Sequence, residues 1–294
     1  RARPITSIMD STPLFTNEQL RLIQGFSKYY FCTLGSIIRL IAPYVPVRKV
    51  SAKEQVSIPD VRFSISKSQL PNLAQSVSSL DDKINYINIR DISSFVWLVM
   101  HLSKLTQGQL LVLVPQIEML KAMHAIVQKL CSGICEQIHS ELNKNQYWNA
   151  YKSTRDAKAK IIFSTRQGVF LPIQANSTIL FFESSSDDFK QYDQHPKYDS
   201  RIVASWLAGI TKSKLIFTSS SELISNKKIS YINLPSARTQ NAKIKLVDME
   251  QEMTRKDFSI ISGKAMEHIQ ETFEAKKKVV ILSLREKSEK GVSV

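Results

Sequence analysis

Four short, continuously apolar stretches restrict this chain's fold more than anything else in it: "QLLVLVP" (109–115), "AKIIFST" (159–165), "STILFF" (177–182) and "SKLIFTS" (213–219). A strand with one wet face alternates apolar and polar residues, whereas a run without alternation needs cover on both faces. Helical patterns supply that cover. "SSFVWLVMHLSKLTQ" (93–107) puts Val96, Val99, Met100 and Leu105 on one face, and "IEMLKAMHAIVQKLCSGICEQI" (117–138) and "SRIVASWLAGI" (200–210) follow. With a further strand in "KINYINI" (83–89), strands alternating with helices predict an α/β fold, a parallel doubly wound sheet.

The flanks read differently. "NEQLRLIQGFSKYYFCTLGSIIRLIA" (17–42) has helical periodicity with Leu20, Ile23, Phe26 and Tyr30 on one face, Asn17 as a cap and a break at "TLGS", a small helix-turn-helix-like unit. Pro43, Pro46 and Pro59 mark an irregular connection to about residue 65. After 235, "AKIKLVDM", a helix near 262–275 and "KKVVILSL" read as the opening of a second α/β lobe cut short at Val294. The 294 residues suit about two domains. A chain that starts at Arg1 without Met and shows no signal pattern looks like a piece of something longer. It has no run of eighteen apolar residues, so no membrane span is predicted. Cys32, Cys131 and Cys135 do not suggest a disulfide framework, which fits a reducing, cytoplasmic setting.

Charge points to a partner. Lys+Arg 40 against Asp+Glu 26 leaves +14, and such a surplus favours a polyanion, because each phosphate neutralised releases condensed counterions. Glycine, in contrast, is scarce at 8 residues. Loops that wrap phosphates need it for positive φ and close backbone approach.

In open parallel sheets, ligands sit beyond the carboxyl ends of the strands. The first such junction is "INIRDISS" (87–94), which has no glycine and no lysine. Ile89 and Ile92 intrude where backbone N–H groups must close on a triphosphate, and Asp91 repels it. The one Gly-Lys pair, Gly263-Lys264, is followed by Ala265 and has Phe258 where a phosphate loop needs its first glycine. A magnesium-holding strand ends in paired acids; here "TILFFESSSDDFKQY" ends in Phe182-Glu183-Ser184-Ser185, with Asp187 and Asp188 on the next loop.

Several segments in order resemble the primosomal protein N′ family, the replication-restart DNA helicases of superfamily 2. "RPITSIMDSTPLFTNEQLRLIQGFSKYYFCTLGSIIRLIAP" resembles the end of that family's 3′-DNA-binding region, with Tyr29-Tyr30 and Leu34-Gly35 in place. "LLVLVPQIEML" is similar to its motif Ia strand, with Gln116 for Glu. "HSELNKNQYWNAYKSTRDAKAKIIFSTRQGVFLP" is similar to its motif Ib region, with His139-Ser140, Thr165-Arg166, Phe170 and Pro172 kept. "DDFKQYDQHPKYDSRIVA" resembles the segment after motif II, with Lys190-Gln191, Tyr198 and Arg201 kept. The resemblance implies a RecA-like first helicase lobe at 66–235, after a 3′-DNA-binding-like helical remnant at 1–50 and a linker at 51–65, with a truncated second lobe at 236–294.

The departures from the family pattern fall on the phosphate and metal motifs. The phosphate loop lands on 87–94, with Ser93 and Ser94 at its Lys and Thr positions, so Ile87, Arg90, Asp91, Ser93 and Ser94 form a degenerate loop. Motif II lands on Phe182-Glu183-Ser184-Ser185, leaving Glu183 as its remnant. Motif III lands on 217–221 and motif IV on 285–288, both broken. The resemblance therefore implies a DNA-binding, helicase-like protein without ATP hydrolysis. No cofactor is expected, and no metal. ATP and magnesium enter only if an atypical site on Glu183 and Arg166 keeps the chain an active helicase. A primosome scaffold is the remaining alternative. The expected partner is single-stranded or forked DNA, with other primosome proteins as further candidates. Expected DNA contacts are Thr165, Arg166, Phe189, Lys190, Gln191, Tyr198, Arg201, Lys28 and Arg39.

Aromatic residues interleave with bases at Tyr147, Trp148 and Tyr151 with Lys144, Lys152 and Arg155, and again from Phe189 to Arg201 with Tyr192 and Lys197. Aromatic faces stack on unpaired bases while cations follow the backbone; equally, Trp148 and Tyr198 can simply pack. Lys28, Arg39, Arg48 and Lys49 form a second basic cluster. Cys131 and Cys135 could share a helix face near His124 and His139, but the spacing lacks a four-ligand zinc pattern and reads as ordinary thiols.

Overall fold

The structure, a computed structural model, describes residues 12–43, 77, 84–89, 91–131, 133–220, 230–233, 245–248 and 261–281. Arg90, Arg48, Lys49, Phe258, the 51–65 linker and the motif IV positions 285–288 lie outside the described residues.

Seven strands form one sheet: β1 (Ile84–Asn88), β2 (Leu110–Leu113), β3 (Ile134–Ile138), β4 (Ala159–Ser164), β5 (Thr178–Phe181), β8 (Lys214–Ser219) and β9 (Ser230–Asn233), in the order β3-β4-β2-β5-β8-β1-β9. Every pairing is parallel. The short β6 (Lys190–Gln191) and β7 (Tyr198–Asp199) pair antiparallel on their own. The central strands β2 and β5 are buried at every position, as their unalternating sequences require.

Two cores follow from the two faces. One gathers Leu111, Ile162, Ile179, Phe181 and Leu215 beneath α5 (Lys144–Arg155) and α6 (Ser200–Thr211). The other gathers Leu110, Val112, Ile161, Phe163 and Leu180 beneath α3 (Ile92–Leu105) and α4 (Ile117–Leu130). This is the RecA-like, doubly wound α/β architecture. Among the described residues, no helix is long and apolar enough to cross a membrane.

The predicted helix over 117–138 is in fact α4 followed by β3. Gly133 interrupts the helical run, Cys131 ends α4, and Ile134–Ile138 pairs with β4 at the sheet edge. α3 shows a similar shift: Val96 and Val99 are buried, but Leu105 is exposed because it ends the helix. The stretch 144–155, read only as aromatic and basic, is a helix capped by Asn143.

The N-terminal helices belong to the lobe. α1 (Asn17–Tyr29) starts at a capping box of Thr16 and Gln19, so Asn17 is inside the helix and not its cap. Its buried face is Leu22, Ile23 and Phe26; Leu20 is exposed. These residues, with Ile37 and Ile41 of α2 (Leu34–Ile41), are part of the core under α5 and α6. The Gln19 amide donates to the Phe170 carbonyl at 2.7 Å, the Tyr151 hydroxyl to the Leu14 carbonyl at 2.7 Å, and the Asp199 N–H to the Tyr30 hydroxyl at 3.2 Å. The helices described within the region expected at 1–50, α1 and α2, pack against this core.

The second unit, Thr239–Val294, holds α7 (Gly263–Glu274), capped by Ser262, with no buried residue along its length. Its described residues 277–281, within the predicted strand "KKVVILSL", form no strand.

Candidate functional site

The carboxyl ends of β1, β5 and β8 lie side by side, where a nucleotide would bind in this architecture. The Ile89 N–H donates to the Ser219 carbonyl at 3.0 Å and the Ser184 N–H to the Thr218 carbonyl at 2.7 Å, so the three ends are tied together. From β1 the chain turns directly into α3. Asp91 is its cap: its carboxylate accepts from the Ser94 N–H and the Ser94 hydroxyl, both at 2.8 Å. A helix N-terminus is where a phosphate oxygen would be held by free N–H groups and the helix dipole. Here the chain's own carboxylate occupies that position.

The neighbouring metal position is filled as well. Phe182, where the family pattern has its first carboxylate, is 4% exposed and meets Phe95 of α3 edge to face at 4.5 Å. Glu183 has a left-handed backbone (φ 48), and its carboxylate accepts from the Ser220 N–H at 3.2 Å and the Ser220 hydroxyl at 3.1 Å. The Ser185 and Ser219 hydroxyls lie 3.3 Å apart. Ile89 does not intrude on the junction as expected, because its side chain is buried in the core; Asp91 and Phe182 are the obstruction. The residues present do not fit a magnesium–triphosphate group. They lack a lysine, put an aromatic ring in place of a carboxylate and place a carboxylate where a phosphate would sit. Among the described residues, no cluster of three or more His, Cys, Asp or Glu could hold a metal.

Glu183 and Arg166 have separate partners, Ser220 for the first and Asp193, at 3.8 Å, for the second. Asp91→Ala is expected to cost about 1 kcal/mol through the lost cap, measured by urea unfolding, and it leaves the Phe182–Phe95 plug in place.

The expected DNA contacts divide by burial. Phe189 is fully buried and meets Phe181 at 4.9 Å, Gln191 donates to the Pro196 carbonyl at 2.9 Å, and Tyr198 packs on Phe26 and Phe170. Burial pushes the Tyr198 hydroxyl up. These three hold the segment after β5 against the lobe, and none offers a free face to a base. Trp148 and Tyr151 are likewise buried.

The exposed or partly exposed candidates are Thr165 and the charged ones. Lys190 pairs with Asp187 at 3.0 Å, and hydrogen bonding to Tyr192 and Asp187 raises its pKa. Arg201 forms an ion pair with Asp199 at 2.7 Å and donates to the Ser184 carbonyl at 2.8 Å, bracing the end of β5; hydrogen bonding to Asp199 raises its pKa. Thr165 and Arg166 are half-buried where β4 ends. Gly168 follows them. A Cβ there would lie 2.6 Å from both Leu113 Cδ2 and Ser164 Cβ, so only glycine lets this turn seat on β2. Lys28 and Arg39 are exposed on α1 and α2.

Cys131 and Cys135 share no helix face, since Cys135 is in β3, where burial pushes its thiol up. Sequence reasoning missed Asp199 as the partner of Arg201, Ser220 as the partner of Glu183, and the exposed Phe31. None carries a motif.

What the sheet and its strand ends define is a RecA-like α/β lobe whose helix after β1 is capped by Asp91. Residues 1–43 match the family model described as the 3'DNA-binding domain (3'BD). Along 95% of its length the chain is similar to the replication restart protein PriA of Rickettsia prowazekii, 28% identical over 307 residues that make up 45% of that protein. PriA of Helicobacter pylori is 24% identical over 204 residues (68% of this chain, 32% of that protein). PriA of Thermotoga maritima is 26% identical over 185 residues (60% of this chain, 24% of that protein). The chain is similar to these PriA proteins over less than half of their length. Among solved structures, the C-terminal domain of the DEAD-box protein Dbp5 superposes with a TM-score of 0.40 at 11% identity, over 53% of this chain and 92% of that one. The C-terminal part of the Fun30 ATPase domain does so with a TM-score of 0.32 at 13% identity, over 44% and 40%. Neither likeness is deep enough to bear on function.

Proposed function

We propose that this PriA-type chain is a DNA-binding, helicase-like module of replication restart that holds single-stranded or forked DNA and does not hydrolyse ATP. One observation carries the reading: the Asp91 carboxylate sits on the N-terminus of α3, where a nucleotide's phosphates would need to bind. Phe182 against Phe95 and the absence of lysine from 87–94 support it. The match to a 3'DNA-binding domain and the +14 charge support a polyanionic partner. No cofactor or metal is needed for holding DNA. Docking of other primosome proteins is a further role for the same lobe.

Two titrations on the full-length protein test this reading. Calorimetry with ATP and magnesium is expected to show no saturable heat. Single-strand binding is expected to weaken with a linear log–log salt dependence, by about 300-fold from 50 to 200 mM salt if roughly six phosphates are neutralised. Binding indifferent to salt would remove DNA as the partner. DNA-stimulated phosphate release that vanishes in Glu183→Gln would make the chain an active enzyme.

A further inference from the structure

Phe31 is 94% exposed and has a left-handed backbone, φ 49. It follows α1 at the position where helices most often place glycine. The Cys32 N–H donates to the Ser27 carbonyl at 3.2 Å and the Tyr30 N–H to the Phe26 carbonyl at 2.9 Å, closing the turn around it. A side chain is disfavoured in this conformation, and a bulky apolar one in water gains nothing from burial. The other non-glycine residues with positive φ among the described residues are Ala157, Asn176, Glu183, Lys212 and Lys276, all small or polar. Among the described residues, Phe31 alone combines the strained backbone with an exposed aromatic ring.

The turn is also rigidly held. The Ser27 hydroxyl donates to the Cys32 carbonyl at 2.6 Å, Cys32 is buried, and Tyr29 meets Trp206 of α6 edge to face at 4.9 Å. The surrounding sequence has one sign of charge. Between Glu18 and Glu54 there is no carboxylate, while Arg21, Lys28 and Arg39 lie on the two helices and Arg48, Lys49 and Lys53 follow. Local disagreement between residue and backbone marks places where something other than stability selects the residue.

We infer that Phe31 is a stacking platform for an unpaired base of a nucleic-acid strand whose phosphates are held by Arg21, Lys28 and Arg39. This rests on the DNA-holding function proposed above and assigns it a contact. Aromatic rings serve this purpose without sequence preference, because every base has a π-face. The surplus of Arg and Lys along this stretch favours a polyanion over a protein partner.

The test compares the full-length protein with Phe31→Gly, Phe31→Tyr and Phe31→Leu, using a single-stranded oligonucleotide carrying 2-aminopurine. Phe31→Gly is expected to melt no lower than the parent, since glycine suits the turn, yet to bind about 10-fold more weakly. It is also expected to lose the quenching of the stacked fluorophore and to keep the salt slope, because no charge is removed. Phe31→Tyr is expected to match the parent. If Phe31→Gly fails to fold, Phe31→Leu decides: weaker binding and lost quenching support the platform, and parental binding overturns it. Unchanged affinity in the folded Phe31→Gly variant, including a case where it abolishes self-association instead, overturns the platform and leaves DNA holding intact. A parent protein that binds no single strand at low salt overturns both.

Discussion

Phe26→Ala is expected to lower the unfolding free energy of the whole lobe by about 3–5 kcal/mol. The ring is fully buried, with Tyr30 at 4.6 Å, Phe170 at 5.4 Å and Tyr198 at 5.6 Å around it. Each neighbour comes from a different part of the chain, so the cavity left by truncation cannot close by a small shift of one element. Urea unfolding followed by tryptophan fluorescence checks the size of the loss. Trp206 reports on α6 and Trp148 on α5, and one shared transition moving to lower urea is the expected outcome. A loss under 1 kcal/mol, or a separate early transition in the N-terminal helices, would mean that α1 is an appendage.

Phe182→Asp restores the type of side chain that the family has at the end of this strand. It is nevertheless expected to destabilise the protein by about 4 kcal/mol and to leave ATP binding absent. The substitution removes the ring that packs on Phe95 and puts an acid in a site that is almost dry. The Asp91 carboxylate remains as the cap of α3, accepting from the Ser94 N–H. Thermal unfolding and ATP–magnesium calorimetry on the variant check both halves. Magnesium-dependent ATP binding by Phe182→Asp would show that a single residue closed the site.

The sheet was legible because burial on both faces removes alternation from a strand, and β2, β4, β5 and β8 all have that mark. β3 was hidden because "GICEQI" continues the spacing of α4 and has only Gly133 to break it. β9 was missed because "SYIN" is too short to show a period. At 87–94 and 182–185, the lack of glycine, lysine and paired acids could be read from residue types alone. What replaced them could not, because Asp91 bonding to Ser94 and Phe182 meeting Phe95 are matters of geometry. Four of the aromatic candidates face inward, while Tyr192 is exposed. A list of aromatics beside bases does not say which rings face inward, and Phe189, Tyr198, Trp148 and Tyr151 do.

The seating of α1 on α6 has a mechanical consequence. α6 begins at Asp199 and Arg201, and Arg201 holds the Ser184 carbonyl just past β5. Tyr29 and Tyr30 press on Trp206 of the same helix. A load placed on the turn after α1 therefore reaches the end of β5 by way of Trp206, α6 and Arg201.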